Sequence, residues 1–179
     1  MKRILNEHLL YGILLGLIVA AARFKLDISL ITFFLGALIG SQLLLTDYLF
    51  QVFLVQPDLE VAKDAKKLVR EGKYLDGLKL VYQRRSEISN LTFHTILFQV
   101  VFYVFSFFVV TSSYSAFGKG VVLAALLYLL KEQIKEINAQ KELNRQWFQR
   151  ININLTPKEQ KIYVGIAVVL FVMYTIIYI

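Results

Sequence analysis

Four ionisable residues lie at the ends of long apolar stretches, at positions where their side chains could act together. His8 opens the first stretch, Asp47 lies near the end of the second, His94 near the start of the third and Glu132 near the end of the fourth. Two imidazoles and two carboxylates can bind a divalent metal such as Zn²⁺ or Mn²⁺. A metal with an open coordination position activates water for hydrolysis. The alternative interpretation is that these are polar residues at helix ends, solvated at the level of the lipid headgroups.

Other familiar sources of chemistry are missing from the sequence. It has no Gly-rich phosphate loop, no nucleophile elbow and no zincin helix motif. It also has no cysteine, which excludes disulfides and thiolate chemistry. The four ionisable residues are therefore the candidates for a functional site.

The elements that carry these residues are apolar segments of the length of membrane-spanning helices. A spanning helix needs roughly 20 mainly apolar residues, and its backbone groups must be satisfied within the helix. The chain is 57% hydrophobic with a mean hydropathy of +0.57, too apolar for a soluble domain of 179 residues. The sequence predicts an all-α, polytopic membrane protein with five transmembrane helices in one membrane domain, 1–179. The apolar stretches are Leu9–Phe24, Ile28–Val55, Leu91–Thr111, Val121–Leu130 with its flanks, and Tyr163–Ile179.

The cations alternate with the predicted helices. All but three of the twenty Lys and Arg residues fall at the N-terminus, in 56–90 or in 131–161. The bias of cations toward the cytoplasm predicts that these segments and the N-terminus are cytoplasmic. The predicted location is the inner (cytoplasmic) membrane, with the lipid bilayer as a partner. Although the net charge is +7, the cations border membrane segments and meet anionic headgroups there, so no nucleic-acid partner is expected.

The segment 57–90 between the second and third helices is charged but patterned. Apolar residues repeat at helical spacing on both sides of Glu71-Gly72. The pattern predicts a cytoplasmic helical hairpin. Three uses of its apolar faces stay open: they pack together, lie on the bilayer surface or dock a protein partner.

Local signals predict further details of the packing and of the fifth helix. Gly36 and Gly40 stand on one face of the second helix, a spacing that lets helices approach closely in lipid. Thr156-Pro157-Lys158-Glu159 is typical of a helix start with a capping box. Trp147-Phe148 predicts a segment at the membrane interface.

Three segments carry a resemblance to a known family. His8-Leu9-Leu10-Tyr11-Gly12 is similar to an opening His-x-x-x-Gly, and the stretch from Leu35 to Tyr48 is similar to Gly-x-Leu-x-Pro-Asp-x-Asp-His. Phe-His-Thr-Ile-Leu-Phe at 93–98 is similar to Thr-His-Ser-Leu-Leu-Phe. In these motifs, over perhaps two-thirds of its length, the chain resembles the predicted inner-membrane metal-dependent hydrolases.

The resemblance implies a site and also shows departures from it. It implies that His8, Asp47 and His94 hold a divalent metal, Zn²⁺ or Mn²⁺. The family's Pro, first Asp and final His correspond here to Leu44, Leu45 and Tyr48, and a further His corresponds to about Tyr128. Leu cannot bind a metal and neutral Tyr is a poor ligand, so the alternative is that this chain has lost the metal and kept the fold.

Two functions of different classes follow. The first is a divergent membrane-bound metal-dependent hydrolase-like protein, acting at the cytoplasmic membrane face on a lipid or a lipid-linked substrate. In it His8, Asp47 and His94 hold the metal, and Glu132 is a ligand or the general base. The second is a non-catalytic membrane scaffold that uses its cytoplasmic hairpin to bind a protein partner.

Overall fold

The computed structural model describes residues 2–24, 27–88, 91–138, 147–148 and 155–179. This part of the chain is helical and contains no strand, as the sequence predicts. A π-helix spans Gln51–Val55 and a short 3₁₀-helix spans Arg85–Glu87. The α-helices are α1 Lys2–Arg23, α2 Ile28–Leu43, α3 Leu45–Phe50, α4 Glu60–Arg70, α5 Tyr74–Gln83, α6 Ile96–Ser112, α7 Ala116–Asn138 and α8 Pro157–Tyr178.

By length and composition, two helical runs in the described residues can cross a membrane. They are Ile28–Val55, which combines α2, α3 and the π-helix, and Pro157–Tyr178, which is α8. The apolar helices His8–Arg23 and Ile96–Ser112 are shorter. The all-helical class is thus confirmed, and the five transmembrane helices remain a prediction.

The centre of the bundle is the close pair α2 and α7. A β-carbon on Gly36 would collide with the backbone carbonyl of Phe117, and one on Gly40 with that of Val121. The two backbones therefore touch where α2 has no side chains, as small residues allow between apolar helices. Around this pair, α1, α2, α6, α7 and α8 share one hydrophobic core, which includes Leu15, Phe33 and Leu126.

The second predicted helix is not continuous. It breaks at Leu44 and resumes as α3, and it ends in the π-helix, whose wider turn is closed by the bond from the Gln56 amide to the Gln51 carbonyl at 2.7 Å. The π-helical turn holds one residue more than an α-helical turn, so the side chains after it are rotated relative to those before it. Such turns frequently occur at functional sites. Here the irregular segment buries Asp47 and Gln51 completely.

The predicted hairpin is present as α4 and α5. Gly72 forms the turn between them with a φ of +77°, a conformation that favours glycine. Val61, Ala65 and Val81 are buried together with Tyr48 and Val52 of the α3 segment. The inner faces of the hairpin thus pack on each other and on the end of the bundle.

The remaining helix boundaries agree in part with the sequence patterns. The capping box of α8 is confirmed, because Thr156 and Glu159 each bond the other's backbone amide. The third predicted helix starts too early: α6 begins at Ile96, capped by Thr95, so His94 precedes the helix. α7 continues past the apolar stretch to Asn138. The sequence predicts a polar continuation of this helix over 131–144, and the part of it after Asn138 lies outside the described residues.

Candidate functional site

Asp47 and His94 form a buried pair at the end of the bundle that carries the hairpin. Asp47 Oδ2 lies 3.1 Å from His94 Nδ1 and accepts a hydrogen bond of 2.7 Å from the Phe93 amide. Its other oxygen, Oδ1, accepts one of 3.1 Å from the Thr92 amide. Asp47 is 0% exposed and His94 is 2% exposed. The carboxylate is therefore satisfied by three donors from the segment before α6.

Local sequence explains why the two side chains meet. The break at Leu44 starts a new helix, and Asp47 lies in its first turn. Thr95 caps α6 by accepting a bond from the Phe98 amide, and its hydroxyl donates to the Thr92 carbonyl. The resulting turn leaves two backbone N–H groups free at its outer side, and the Asp47 carboxylate accepts from both.

His8 lies in a second group of contacts, between two tyrosines. Its Nε2 is 2.6 Å from the Tyr82 hydroxyl and 3.3 Å from the Tyr128 hydroxyl, and its ring stacks on Tyr128 with centroids 4.4 Å apart. Arg85 donates to the Tyr82 oxygen at 2.9 Å. Because Arg85 has only donors, the Tyr82 oxygen is the acceptor of that bond.

Glu132 contacts the same Tyr128 hydroxyl as His8. Its Oε1 accepts from the Tyr128 hydroxyl at 3.2 Å and pairs with Lys131 Nζ at 3.0 Å. Its side chain is 13% exposed. Glu132 thus contacts the His8 group through Tyr128, and no described bond joins it to Asp47 or His94.

Aromatic rings connect the two groups. Tyr48 lies 5.6 Å from the His94 ring and 6.2 Å from the Tyr82 ring, centroid to centroid. All four residues singled out from the sequence therefore lie in one continuous set of contacts, which we call the polar cluster. Its members are Asp47, His94, Tyr48, Tyr82, His8, Tyr128 and Glu132.

Trp147 covers His94 from another side, and its predicted position at the membrane interface stays a prediction. Its ring meets the His94 ring edge to face at 5.7 Å, and it is 0% exposed. Its indole N–H donates to Glu136 at 2.8 Å, and its carbonyl accepts from the Ile96 amide at 3.0 Å. Trp147 can be buried because its indole N–H and its backbone carbonyl both have hydrogen-bond partners inside the protein.

Two buried polar groups near Asp47 have no hydrogen-bond partner. They are Nε2 of His94 and the side-chain amide of Gln51, both nitrogen and oxygen. Gln51 stands four residues after Asp47 and is 0% exposed. Buried polar atoms are nearly always paired, so these unpaired atoms stand out among the side chains around Asp47.

The described side chains do not fit the divalent metal that the resemblance implies. No group of three or more His, Asp or Glu residues is placed to hold an ion in this part of the chain. Asp47 already accepts three hydrogen bonds, and His8 Nε2 faces two hydroxyls. Tyr48 and Tyr128 occupy positions where the resemblance expects His. The arrangement is a hydrogen-bonded network in which Nδ1 of His8 and Nε2 of His94 have no hydrogen-bond partner.

Sequence reasoning missed part of the polar cluster. Tyr48 and Tyr128 were noticed only as departures, although their positions in the family motifs place them beside His94 and His8. Gln51 could have been found from its spacing of four from Asp47. Tyr82 and Trp147 carry no signal in the sequence, because only the docking of distant segments brings them to the histidines.

Comparisons with protein families, with curated proteins and with solved structures find no match for this chain.

Proposed function

We propose that the protein is a divergent member of the membrane-bound hydrolases it resembles, in which Asp47 and His94 form the acid–base pair. The substrate is a lipid or a lipid-linked molecule at the cytoplasmic membrane face. One observation carries this proposal: Asp47 holds His94 through Nδ1, while Nε2 is buried without a partner. A carboxylate that fixes one nitrogen of an imidazole leaves the other oriented for proton transfer.

The chemistry follows from this geometry. His94 Nε2 accepts a proton from water as the water oxygen attacks an ester or phosphoester, and later returns the proton to the leaving oxygen. Asp47 stabilises the imidazolium formed in between. A positioned base of this kind contributes roughly 10²–10⁴-fold to a rate. The side-chain amide of Gln51 supplies an N–H donor to the charge that develops on the substrate oxygen.

In this proposal Glu132 and His8 position the cluster and do not themselves react. Glu132 fixes the Tyr128 hydroxyl, and Tyr128 supports the His8 ring. His8 in turn shares a hydrogen bond with Tyr82, whose ring lies beside that of Tyr48, and the Tyr48 ring lies beside that of His94. The role of general base therefore moves from Glu132, where the sequence places it, to His94.

The membrane location and its orientation belong to the same proposal. Leu17, Phe105 and Ile166 lie on three different helices, and each is more than half exposed, at 57%, 54% and 57%. Apolar surface on several helices of one bundle is what a bilayer covers and water does not. Together with the two spanning runs and the distribution of cations, this supports five membrane helices with a cytoplasmic N-terminus and hairpin.

The reaction is tested on the purified chain reconstituted in liposomes. Release of headgroup or phosphate from labelled phospholipid and lipid-linked phosphate is followed for the wild type and for His94→Asn. We expect the variant to lose about 10²-fold or more of the activity, and Lys158→Gln, a charge change in α8, to retain it. Equal activity of wild type and His94→Asn would remove His94 from the mechanism.

Elemental analysis of the same sample adds a second criterion, since one tightly held metal per chain contradicts the proposed network.

Orientation is tested by labelling single cysteines with an impermeant reagent. Ser113→Cys, in the turn between α6 and α7, is expected to react only from outside. Lys67→Cys, on the hairpin, is expected to react only after the membrane is opened. Labelling of both from the same side contradicts the five-helix topology.

A second candidate, a non-catalytic scaffold, is favoured by one surface of the hairpin. Tyr74, Leu75 and Leu78 on α5 are exposed by 63%, 66% and 39%. A photo-crosslinker at position 75 is compared with one at Lys67 on α4. A discrete protein adduct at position 75 but not at 67 supports the scaffold, and adducts with lipid alone at both contradict it.

A further inference from the structure

A groove opens on the side of the bundle between α1, α7 and α8. It has a volume of about 810 Å³ and reaches from Asn138 at the end of α7 to Val172 of α8. Its deeper walls are apolar and include Leu127, Val168 and Phe171. This length of groove runs along the outer face of the helices that we place in the membrane, so its walls face acyl chains.

Cations lie at the cytoplasmic end of the groove. Leu127, Lys131 and Lys135 follow each other at intervals of four on one face of α7. They span about 12 Å along the helix axis at 1.5 Å per residue. Lys135 is exposed, and no ion pair of Lys135 exists among the described residues. The groove is therefore apolar at depth and positive at its mouth.

Lys131 connects the groove to the polar cluster. Its ammonium group lies 5.1 Å from the centre of the Tyr11 ring and 5.0 Å from that of Tyr128, and it pairs with Glu132 at 3.0 Å. Tyr11 and Lys131 line the groove, whereas Tyr128 and Glu132 belong to the cluster. A group bound at Lys131 is thus one side chain away from His8.

We propose that this groove binds a phospholipid of the bilayer, with its phosphate at Lys131 and Lys135 and an acyl chain against Leu127 and Phe171. The inference rests on the proposed function only where it takes this lipid as the substrate class of the proposed hydrolase. Lysines are frequent phosphate ligands, and cations next to the membrane favour anionic lipids. Glu132 offsets the charge of Lys131, so Lys135 supplies the preference for a lipid with net negative charge. A neutral lipid would use the apolar walls but not the lysines, and a soluble phosphate would use only the lysines.

Native mass spectrometry of the full chain in detergent tests the proposal. Phosphatidylglycerol and phosphatidylcholine with identical acyl chains are titrated separately. We expect the anionic lipid to bind preferentially, and Lys135→Gln to lower that preference about fivefold, the effect of one cation near a membrane surface. Lys161→Gln removes a charge from α8 at the same end but outside the groove, and we expect it to have no effect.

A second pair of variants tests the acyl chain. Ile134 lines the groove and is 42% exposed, and Ile162 is 52% exposed on α8 outside it. We expect Ile134→Trp to lower the binding of both lipids and Ile162→Trp to change neither. Equal binding of the two lipids, equal effects of the paired variants, or displacement of the lipid by inorganic phosphate would each overturn the proposal. Because no turnover is involved, His94→Asn is expected to bind lipid like the wild type even if the proposed reaction is wrong.

Discussion

Asp47 and His94, which belong to different segments of the chain, meet through Oδ2 and Nδ1 at 3.1 Å with both side chains buried. The same carboxylate accepts from the amides of Thr92 and Phe93. Asp47 thus holds both the imidazole and the turn that starts α6. A structural role and the proposed chemical role coincide in one side chain.

Asp47→Asn tests the structural role. An amide has one acceptor oxygen where the carboxylate has two, and its NH₂ group faces a backbone donor, so one buried N–H is left without an acceptor. We expect a loss of about 1–3 kcal/mol in the free energy of unfolding, measured by denaturation in mild detergent. Asp58→Asn, at an exposed position before α4, makes the same chemical change and is expected to have no effect. Equal stability of the two variants would show that the three bonds contribute nothing.

The double variant Tyr48→His and Tyr128→His tests why the cluster does not fit a metal. Each new imidazole would stand beside an existing one, because Tyr48 lies next to His94 and Tyr128 next to His8. Each pair of neighbouring imidazoles provides two of the nitrogen ligands that Zn²⁺ binds well. We expect roughly tenfold tighter Zn²⁺ binding than in the wild type, since changes around a metal site alter affinity by about 10–100-fold.

Competition with a chromogenic chelator gives the Zn²⁺ affinity of each variant. Tyr74→His is the control, since Tyr74 is 63% exposed on the hairpin. If the control gains as much affinity as the double variant, the added histidines bind metal individually. In that case the positions of Tyr48 and Tyr128 are not those of a lost site.

Gly36→Ala tests the contact between α2 and α7. The added methyl group meets the backbone carbonyl of Phe117, which cannot rotate away. Overpacking of this kind costs roughly 1–3 kcal/mol. Gly165→Ala in α8, where no atom lies within 4 Å of the new methyl, is expected to be neutral or to stabilise by up to about 1 kcal/mol. The midpoint of thermal unfolding should therefore fall for Gly36→Ala and stay the same or rise for Gly165→Ala.

Arg84→Gln tests the ion pairs that join the two ends of the hairpin. Arg84 bonds both oxygens of Glu87, at 2.7 and 2.6 Å, and Asp64 at 2.8 Å. The neighbouring guanidinium lowers the pKa of Glu87 below its usual value of 4.5. A carboxylate with a lowered pKa stabilises the fold above its unfolded pKa, and this contribution is lost as the pH falls through the folded value. The wild type should therefore melt slightly above the variant at pH 7, and the difference should shrink as the pH falls through the lowered pKa of Glu87. A difference that stays constant down to acid pH would assign the effect of Arg84 to packing.

The sequence predicted those parts of the fold that depend on neighbouring residues. The α8 cap is encoded within four residues, from Thr156 to Glu159, and the hairpin by apolar repeats around Gly72. The start of α6 was misplaced because apolar residues continue through the turn at 91–95, and only the bond to Asp47 shows that this turn is not helical.

The sequence predicts the composition of the cluster and the contact of Asp47 with His94, but not its other connections. Each of the four ionisable residues lies in it, because polar groups at the same depth of an apolar bundle face its interior and pair with one another. Which of them touch depends on tyrosines from α3, α5 and α7. Tyr82 reaches His8 only because the hairpin folds back on the bundle, a contact that no local pattern encodes.

The glycine contact of α2 with α7 also bears on how a molecule could travel to the cluster. Where Gly36 and Gly40 meet the carbonyls of Phe117 and Val121, the two backbones leave no gap between them. Passage from the bilayer between these helices is therefore blocked over that length. In the proposed reaction a substrate would approach from the opposite flank, along α1 and α8, or from the aqueous end beneath the hairpin. The first of these routes passes the side of the protein on which Lys131 stands.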